Sequence, residues 1–195
     1  MDSVETKIKN YMDATTDFWS IPTKSLFHNL ISLLVSQRIR FAKSREIRKQ
    51  LYGLNDNFSE YDSSKLSMVS RDQYRDLGLT DNLISAIFEV ISLEQANNLN
   101  LNTISDLKQV GPWTVKALRI LNYNSDDDFL FEDYWIRQRV SELFGFKTVI
   151  TSAVCADLVN HWKNKSNMSR FFWRIKDTGI SKIKSDRLLD RNDFV

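Results

Sequence analysis

The chain is short of the residues that break helices and of those that cross-link folds. Its 195 residues include five glycines, two prolines and one cysteine. So few turn-formers argue against a sandwich or barrel and for helices joined by polar loops. A single thiol, Cys155, excludes an internal disulfide, a four-thiolate zinc site and an iron–sulfur cluster. The longest apolar-rich run, Leu30 to Val35, is far too short to span a bilayer. The opening residues Met-Asp-Ser-Val-Glu-Thr have no basic segment followed by an apolar one, so no secretory signal is expected and the reading is intracellular, cytoplasm or nucleus. A charge of one sign is lacking too. The net charge is +2, so any nucleic-acid binding must come from local patches rather than bulk charge.

What is present is an ordinary globular composition, 42% hydrophobic and 27% charged, enough for one compact domain or two small lobes. Leu26, Leu30, Leu33 and Leu34, widened by Ile31 and Val35, recur at helical spacing and predict a strongly buried helix. A second helix is expected from about Ala42 to Tyr52, stopping at Gly53. Residues 54–66 are polar and read as loop with a short helix. Leu83, Ile84, Ile87, Val90 and Ile91 mark another helix, and Asn97 to Asn102 a connector. Two short helices flank Val110-Gly111-Pro112. Asp126, Asp127 and Asp128 read as solvated loop charges, and Tyr134 to Phe144 as a helix stopped by Gly145. Val149 to Trp162 and Ser169 to Lys176 read as further helices, and Ser185 to Val195 as a charged, fraying end. No segment alternates as a strand does. The expected class is all-α, in two helical lobes: 26–125, and 1–25 with 126–195.

Two stretches carry chemistry. In the first, Ile104 to Leu118, a short helix, a glycine turn and a helix starting at Pro112 or Trp113 would aim backbone N–H groups at one point. Pro suits a first helical turn. Gly111 tolerates positive φ and lets another backbone come close. The N–H groups of a helix start form a phosphate site. The plain alternative is a packed apolar hairpin. In the second, Phe129-Leu130-Phe131-Glu132-Asp133-Tyr134-Trp135-Ile136-Arg137-Gln138-Arg139-Val140, an acid precedes an amphipathic helix. Asp is a favoured N-cap, contributing about 1 kcal/mol, and that is its plain reading. Glu132 reads as a surface neighbour.

Together the two stretches resemble the helix-hairpin-helix DNA glycosylase superfamily, and within it the alkyladenine (3-methyladenine) branch. There the hairpin reads Pro-Gly-Ile-Gly-Arg-Trp-Thr-Ala, and the acid lies in Asp-Asp-Tyr-Leu-Ile-Lys-Gln-Arg-Phe. The 22 positions from Gly111 to Asp133 match the family's separation. Upstream, Leu33-Leu34-Val35-Ser36-Gln37-Arg38-Ile39 resembles the family's Leu-x-Gly/Ser-Gln-x-hydrophobic segment. The resemblance covers about Leu26 to Phe146. Gln109 replaces the first hairpin Gly and Val115 a usual Ala, and the N-terminal sheet domain of some relatives is absent from these 195 residues.

The resemblance implies a function: a DNA glycosylase that flips a damaged, alkylated base from double-stranded DNA and hydrolyses its N-glycosidic bond in base excision repair. Asp133 would be the catalytic carboxylate, stabilising positive charge on the sugar. Gln37, Arg38, Val110, Gly111, Trp113, Thr114 and Lys116 would meet DNA, with Arg38 at the wedge position; a surface arginine is the alternative there. Members that also cut the strand carry a lysine where this chain has Trp113, so lyase activity is not expected. A monovalent cation, Na or K, would sit on the carbonyls of Ser105, Leu107 and Val110; no other cofactor is expected. Trp113, Tyr134, Trp135 and Trp173, with Trp162 a weaker candidate, would line the base pocket; the alternative for aromatics at helical spacing is core. From Arg38 to Lys49 six basic residues (Arg38, Arg40, Lys43, Arg45, Arg48, Lys49) meet one acid, Glu46, a plausible DNA track or simply a solvated face. His28 and His161, far apart, read as structural. The expected partner is a lesion-bearing duplex bound by a monomer. The competing readings are a glycosylase for oxidised or mismatched bases and a non-catalytic helix-hairpin-helix DNA-binding module.

Overall fold

Short polar side chains mark the helix starts along this chain. Side-chain oxygens of Ser25, Asp62, Ser70, Asn100, Asp133 and Thr151 each accept a backbone N–H of the first turn that follows, where no preceding carbonyl is in reach. The computed structural model describes residues 6, 8, 24–37, 39, 41–53, 60–123, 125 and 128–174. Among them there are ten helices and no strand. No helix among the described residues is long and apolar enough to cross a membrane.

The chain divides into two compact units. One is Thr23–Asn122. Its helices are α1 (Leu26–Leu34), α2 (Phe41–Gly53), α3 (Ser63–Ser67), α4 (Arg71–Asp76), α5 (Asp81–Gln95), α6 (Leu101–Ser105) and α7 (Pro112–Asn122). Helix α1 packs on α5 and α7, and α3 and α4 pack on α5. Leu30, Ile31 and Leu34 of α1, Ile84, Ile87 and Val90 of α5 and Leu118 of α7 are fully buried. Each such side chain contributes roughly 1.5–3 kcal/mol. Helix α4 is absent from the sequence expectation. Its signal is a capping box, in which Ser70 accepts the Gln73 N–H and the Gln73 side chain accepts the Ser70 N–H.

The other unit holds α8 (Tyr134–Phe144), α9 (Ser152–Val159) and α10 (Lys165–Arg174), with α9 and α10 both packed on α8. Gly145, at φ 78°, ends α8 in the left-handed conformation that favours glycine. Helix α9 is shorter than the expected Val149–Trp162, because the Thr151 hydroxyl caps it. Helix α10 begins four residues before the expected Ser169, just after Asn164, whose φ of 53° sets the chain turning into it. Trp162 is core rather than pocket. It is 4% exposed, stacked on Phe144 and Phe172 and edge-on to Phe129. Cys155 is buried, and burial pushes its thiol up to about 11, which leaves no nucleophile there at neutral pH.

Candidate active site and nucleic-acid interface

The hairpin is built around Val110. Its N–H donates to the Leu107 carbonyl at 2.9 Å, and the Leu107 N–H donates to that of Ile104 at 3.1 Å. The Val110 side chain is 8% exposed and joins the core, so only its backbone can meet a ligand. Helix α7 then starts at Pro112, and the Val115 N–H donates to the Gly111 carbonyl at 3.2 Å. The N–H groups of Trp113 and Thr114 fall in the first turn, beyond reach of a preceding helical carbonyl.

Gly111 corrects the expectation from positive φ. Gly78 and Gly145 are the glycines at positive φ among the described residues. A Cβ at Gly111 would meet nothing of the chain within 4 Å, and the residue is exposed. Neither backbone conformation nor internal packing therefore requires glycine here.

Gln37 and Thr114 serve the hairpin from inside. The Gln37 amide donates to the Gln109 carbonyl at 3.1 Å and to the Thr114 hydroxyl at 3.3 Å. Thr114 is 2% exposed. Its side chain cannot reach DNA, and its backbone N–H is what the helix start presents. The brace ties the end of α1 to the hairpin, and the Gln109 carbonyl in place of a glycine's is one of its acceptors. Trp113 and Lys116 are half-buried. Arg38 and Arg40 lie outside the described residues, as do Asp126, Asp127 and the stretch 185–195. On α2, Lys43, Arg45 and Lys49 are exposed and Arg48 half-buried, while Ser44 and Ile47 turn inward.

Asp133 caps α8 with φ −70° and ψ 127°, as the local sequence implies. Its Oδ1 accepts the Ile136 N–H at 3.1 Å. Its own N–H donates to the Leu130 carbonyl, and its carbonyl accepts the Arg137 N–H, both at 3.0 Å. Its Oδ2 accepts the indole N–H of Trp173 at 3.4 Å. The residue is half-buried, so the carboxylate is gripped by the protein yet still reachable. This bond joins two residues 40 positions apart, and sequence spacing carries no signal for it.

The other aromatics differ in setting. Tyr134 and Trp135 are 57% and 54% exposed, edge-to-face with each other at 6.2 Å. Arg137 lies over the Tyr134 ring at 6.0 Å and Arg139 over Trp135 at 5.6 Å. Arg139 is itself buried and paired with Glu142 at 2.9 Å.

His28 is structural. Its Nε2 is 2.8 Å from the Tyr52 hydroxyl, its Nδ1 accepts the Tyr61 N–H at 3.3 Å, and its ring stacks on Tyr61. Burial lowers the imidazole to about 4. Among the described residues no cluster of three or more His, Cys, Asp or Glu side chains could hold a metal ion.

No protein-family model matches the sequence, and no curated protein does. Solved structures do match. The 3-methyladenine DNA glycosylase of Schizosaccharomyces pombe, solved in complex with abasic DNA, superposes with a TM-score of 0.64 at 16% identity, over 89% of this chain and 91% of that one. A DNA-3-methyladenine glycosidase of Bacillus halodurans does so at 0.60 and 15%, over 93% and 92%. A 3-methyladenine DNA glycosylase of Archaeoglobus fulgidus gives 0.60 and 15%, over 76% of this chain and 58% of its own. At such identities the likeness is one of architecture: this chain has the all-helical fold of these glycosylases.

Proposed function

We propose that the protein is a monofunctional DNA glycosylase that removes alkylated bases from double-stranded DNA. The observation that carries this reading is Asp133, a reachable carboxylate fixed through both oxygens at a helix start, 22 positions beyond an outward-facing hairpin glycine in a fold shared with 3-methyladenine glycosylases. A non-catalytic DNA-binding module would need the hairpin and not the carboxylate.

In this reading the Gly111 turn and the first N–H groups of α7 hold a backbone phosphate. Lys43, Arg45 and Lys49 attract the duplex along α2. The base is flipped out of the stack. Its bond to the sugar C1′ breaks, and the electron pair leaves on the base. The Asp133 charge stabilises the cationic sugar. A water oxygen then bonds to C1′ and gives up a proton to solvent. Alkylation at N3 or N7 makes the base a cation and a good leaving group, so little acid catalysis is required. Aromatic faces attract such a cation by about 0.5–2 kcal/mol.

A monovalent cation at the carbonyls of Ser105, Leu107 and Val110 belongs to the same proposal. The Leu107 carbonyl already accepts the Val110 N–H. A carbonyl has a second lone pair, so the donor set still fits a hard cation that takes oxygen ligands. When bound, the ion supplies positive charge beside the phosphate. The protein is read as acting as a monomer.

The test incubates the protein with matched duplexes carrying 3-methyladenine, 7-methylguanine, 8-oxoguanine, uracil or mispaired adenine, then heats in alkali to reveal abasic sites. Alkylated purines should be released fastest. Faster release of the other bases rejects the alkylation reading, and release of none rejects the glycosylase. With Trp113 in place of lysine, borohydride should trap no protein–DNA adduct.

A further inference from the structure

The last of the described helices carries an unexplained polar stripe. Helix α10 is apolar where it meets the core, with Met168, Phe171 and Phe172 all at most 3% exposed. Yet Ser166 and Ser169 are as deeply buried, at 3% and 0%. With Trp173 they fall at positions i, i+3 and i+7, one face of a helix. Each of the three meets the segment that leads into α8. The Ser166 hydroxyl donates to the Asp128 carbonyl at 3.2 Å. The Leu130 N–H donates to the Ser169 hydroxyl at 3.1 Å. The Trp173 indole N–H donates to Asp133 Oδ2 at 3.4 Å. Three successive points on the helix thus hold three successive points of the loop, the last being the carboxylate itself.

We propose that α10 is the positioning element for the Asp133 carboxylate, with Trp173 fixing its plane and Ser166 and Ser169 fixing the loop that delivers it. A buried loop must find partners for its backbone groups, and the two serines provide them where an apolar helix would not. The Ile136 N–H holds Oδ1, and the indole N–H on the other oxygen opposes rotation of the carboxylate about its Cβ–Cγ bond. The indole bond is long, as hydrogen bonds to catalytic groups often are before substrate is bound. It takes one of the roughly four acceptor sites a carboxylate has. Trp173 is thereby a positioning residue, and its indole N–H matters to the reaction rather than only its ring.

This inference rests on the glycosylase reading for its kinetic arm, and a spectroscopic arm stands apart from it. Trp173→Phe keeps an aromatic ring and removes the N–H. Its single-turnover excision rate should fall about tenfold or more, the rate equivalent of a hydrogen bond to a charged group. Affinity for a duplex carrying an abasic-site analogue should stay within twofold. In an Asp133→Asn background the same substitution should cost no further rate. Ser169→Ala should lower the rate in the same way and decides the matter if Trp173→Phe fails to fold. In the NMR spectrum of the full chain, the indole proton resonance lost in Trp173→Phe identifies Trp173, and it should move in Asp133→Ala. A Trp173→Phe rate within twofold of wild type, an equal loss in both backgrounds, or an indole resonance unmoved in Asp133→Ala would overturn the proposal. A wild type that excises no lesion overturns the proposed function instead, and the resonance then decides alone whether α10 holds the carboxylate.

Discussion

Asp133→Asn is the natural probe of a catalytic carboxylate, and the structure says it is not a silent change of charge. The wild-type side chain accepts the Ile136 N–H on Oδ1 and the Trp173 indole N–H on Oδ2. An asparagine has one acceptor oxygen and one donor nitrogen. With its oxygen toward Ile136, the amide NH2 faces the indole N–H. Flipped, it faces the backbone N–H. One donor therefore loses its acceptor in either rotamer. A fully buried donor left unmet costs about 1–3 kcal/mol. Asp133 is half-buried, so water can reach the orphan, and about 1 kcal/mol is expected. For a chain of this size that is roughly 2–4 °C in Tm. The variant should thus melt slightly below wild type, bind DNA normally, and lose excision by about two orders of magnitude or more, since a lost charge–charge interaction with the transition state is worth several kcal/mol. The double variant Asp133→Asn with Trp173→Phe removes the opposed donor and should recover part of the lost Tm. Calorimetry and single-turnover assays on the four proteins of this cycle suffice. Excision within tenfold of wild type, or a double variant that melts below what the two single losses add to, would refute the reasoning.

Gly111→Ala places a Cβ where the chain itself has nothing within 4 Å, so Tm should hold or rise slightly while affinity for any duplex falls; unchanged affinity would place the phosphate elsewhere. Replacing exposed Lys43 and Lys49 with glutamine should reduce the slope of log affinity against log salt by roughly 0.9 for each phosphate no longer neutralised, and a titration with an unchanged slope would remove α2 from the DNA track. His28 has its folded value lowered to about 4 from 6.5. Its contribution to stability is full above pH 6.5 and is lost as pH falls to about 4, by about 3 kcal/mol; denaturant titrations should show this slope flattened in His28→Gln, and an equal slope in both proteins would assign it to other groups.

The parts of the site that are legible in the sequence are those written locally. Gly-Pro-Trp at a helix start and an Asp before an amphipathic run are signals spanning a few residues, and α7 and α8 begin where those signals put them. The all-helical class follows from scarce glycine and proline and from the helical period of about 3.6 residues. What is not legible depends on which residue of one helix meets which residue of another. Trp173 reads as one more base-pocket candidate on a helix expected from Ser169 to Lys176, until α10 starts at Lys165 and its stripe of Ser166, Ser169 and Trp173 finds the loop before α8. Gln37 and Thr114 read as DNA contacts from their places in the two resembling motifs, and the bond between their side chains, 77 positions apart in sequence, has no signal there. Helix α4 is a different case. Its Ser-x-x-Gln box stands in the sequence, but six residues are too few to show a period.

The aromatic residues around Asp133 also separate by charge, which bears on the choice of lesion. Tyr134 and Trp135 each have a guanidinium over one face. A cationic base stacked on the opposite face would feel that positive charge through a single ring. For Trp135 the effect is offset, because Arg139 is buried in an ion pair with Glu142. For Tyr134 it is not offset in the same way, since Arg137 Nη1 donates to a neutral carbonyl, that of Ile150, at 2.9 Å. Trp135 is therefore the better platform of the two for a 3- or 7-alkylated purine, and Tyr134 suits a neutral base or a sugar edge. Trp173 donates its N–H to Asp133, so in the proposed reaction a base stacked on its ring would lie beside that carboxylate. A preference for alkylated purines in the proposed reaction thus rests on two rings of the second unit, Trp135 and Trp173, and on the charge of the Asp133 carboxylate.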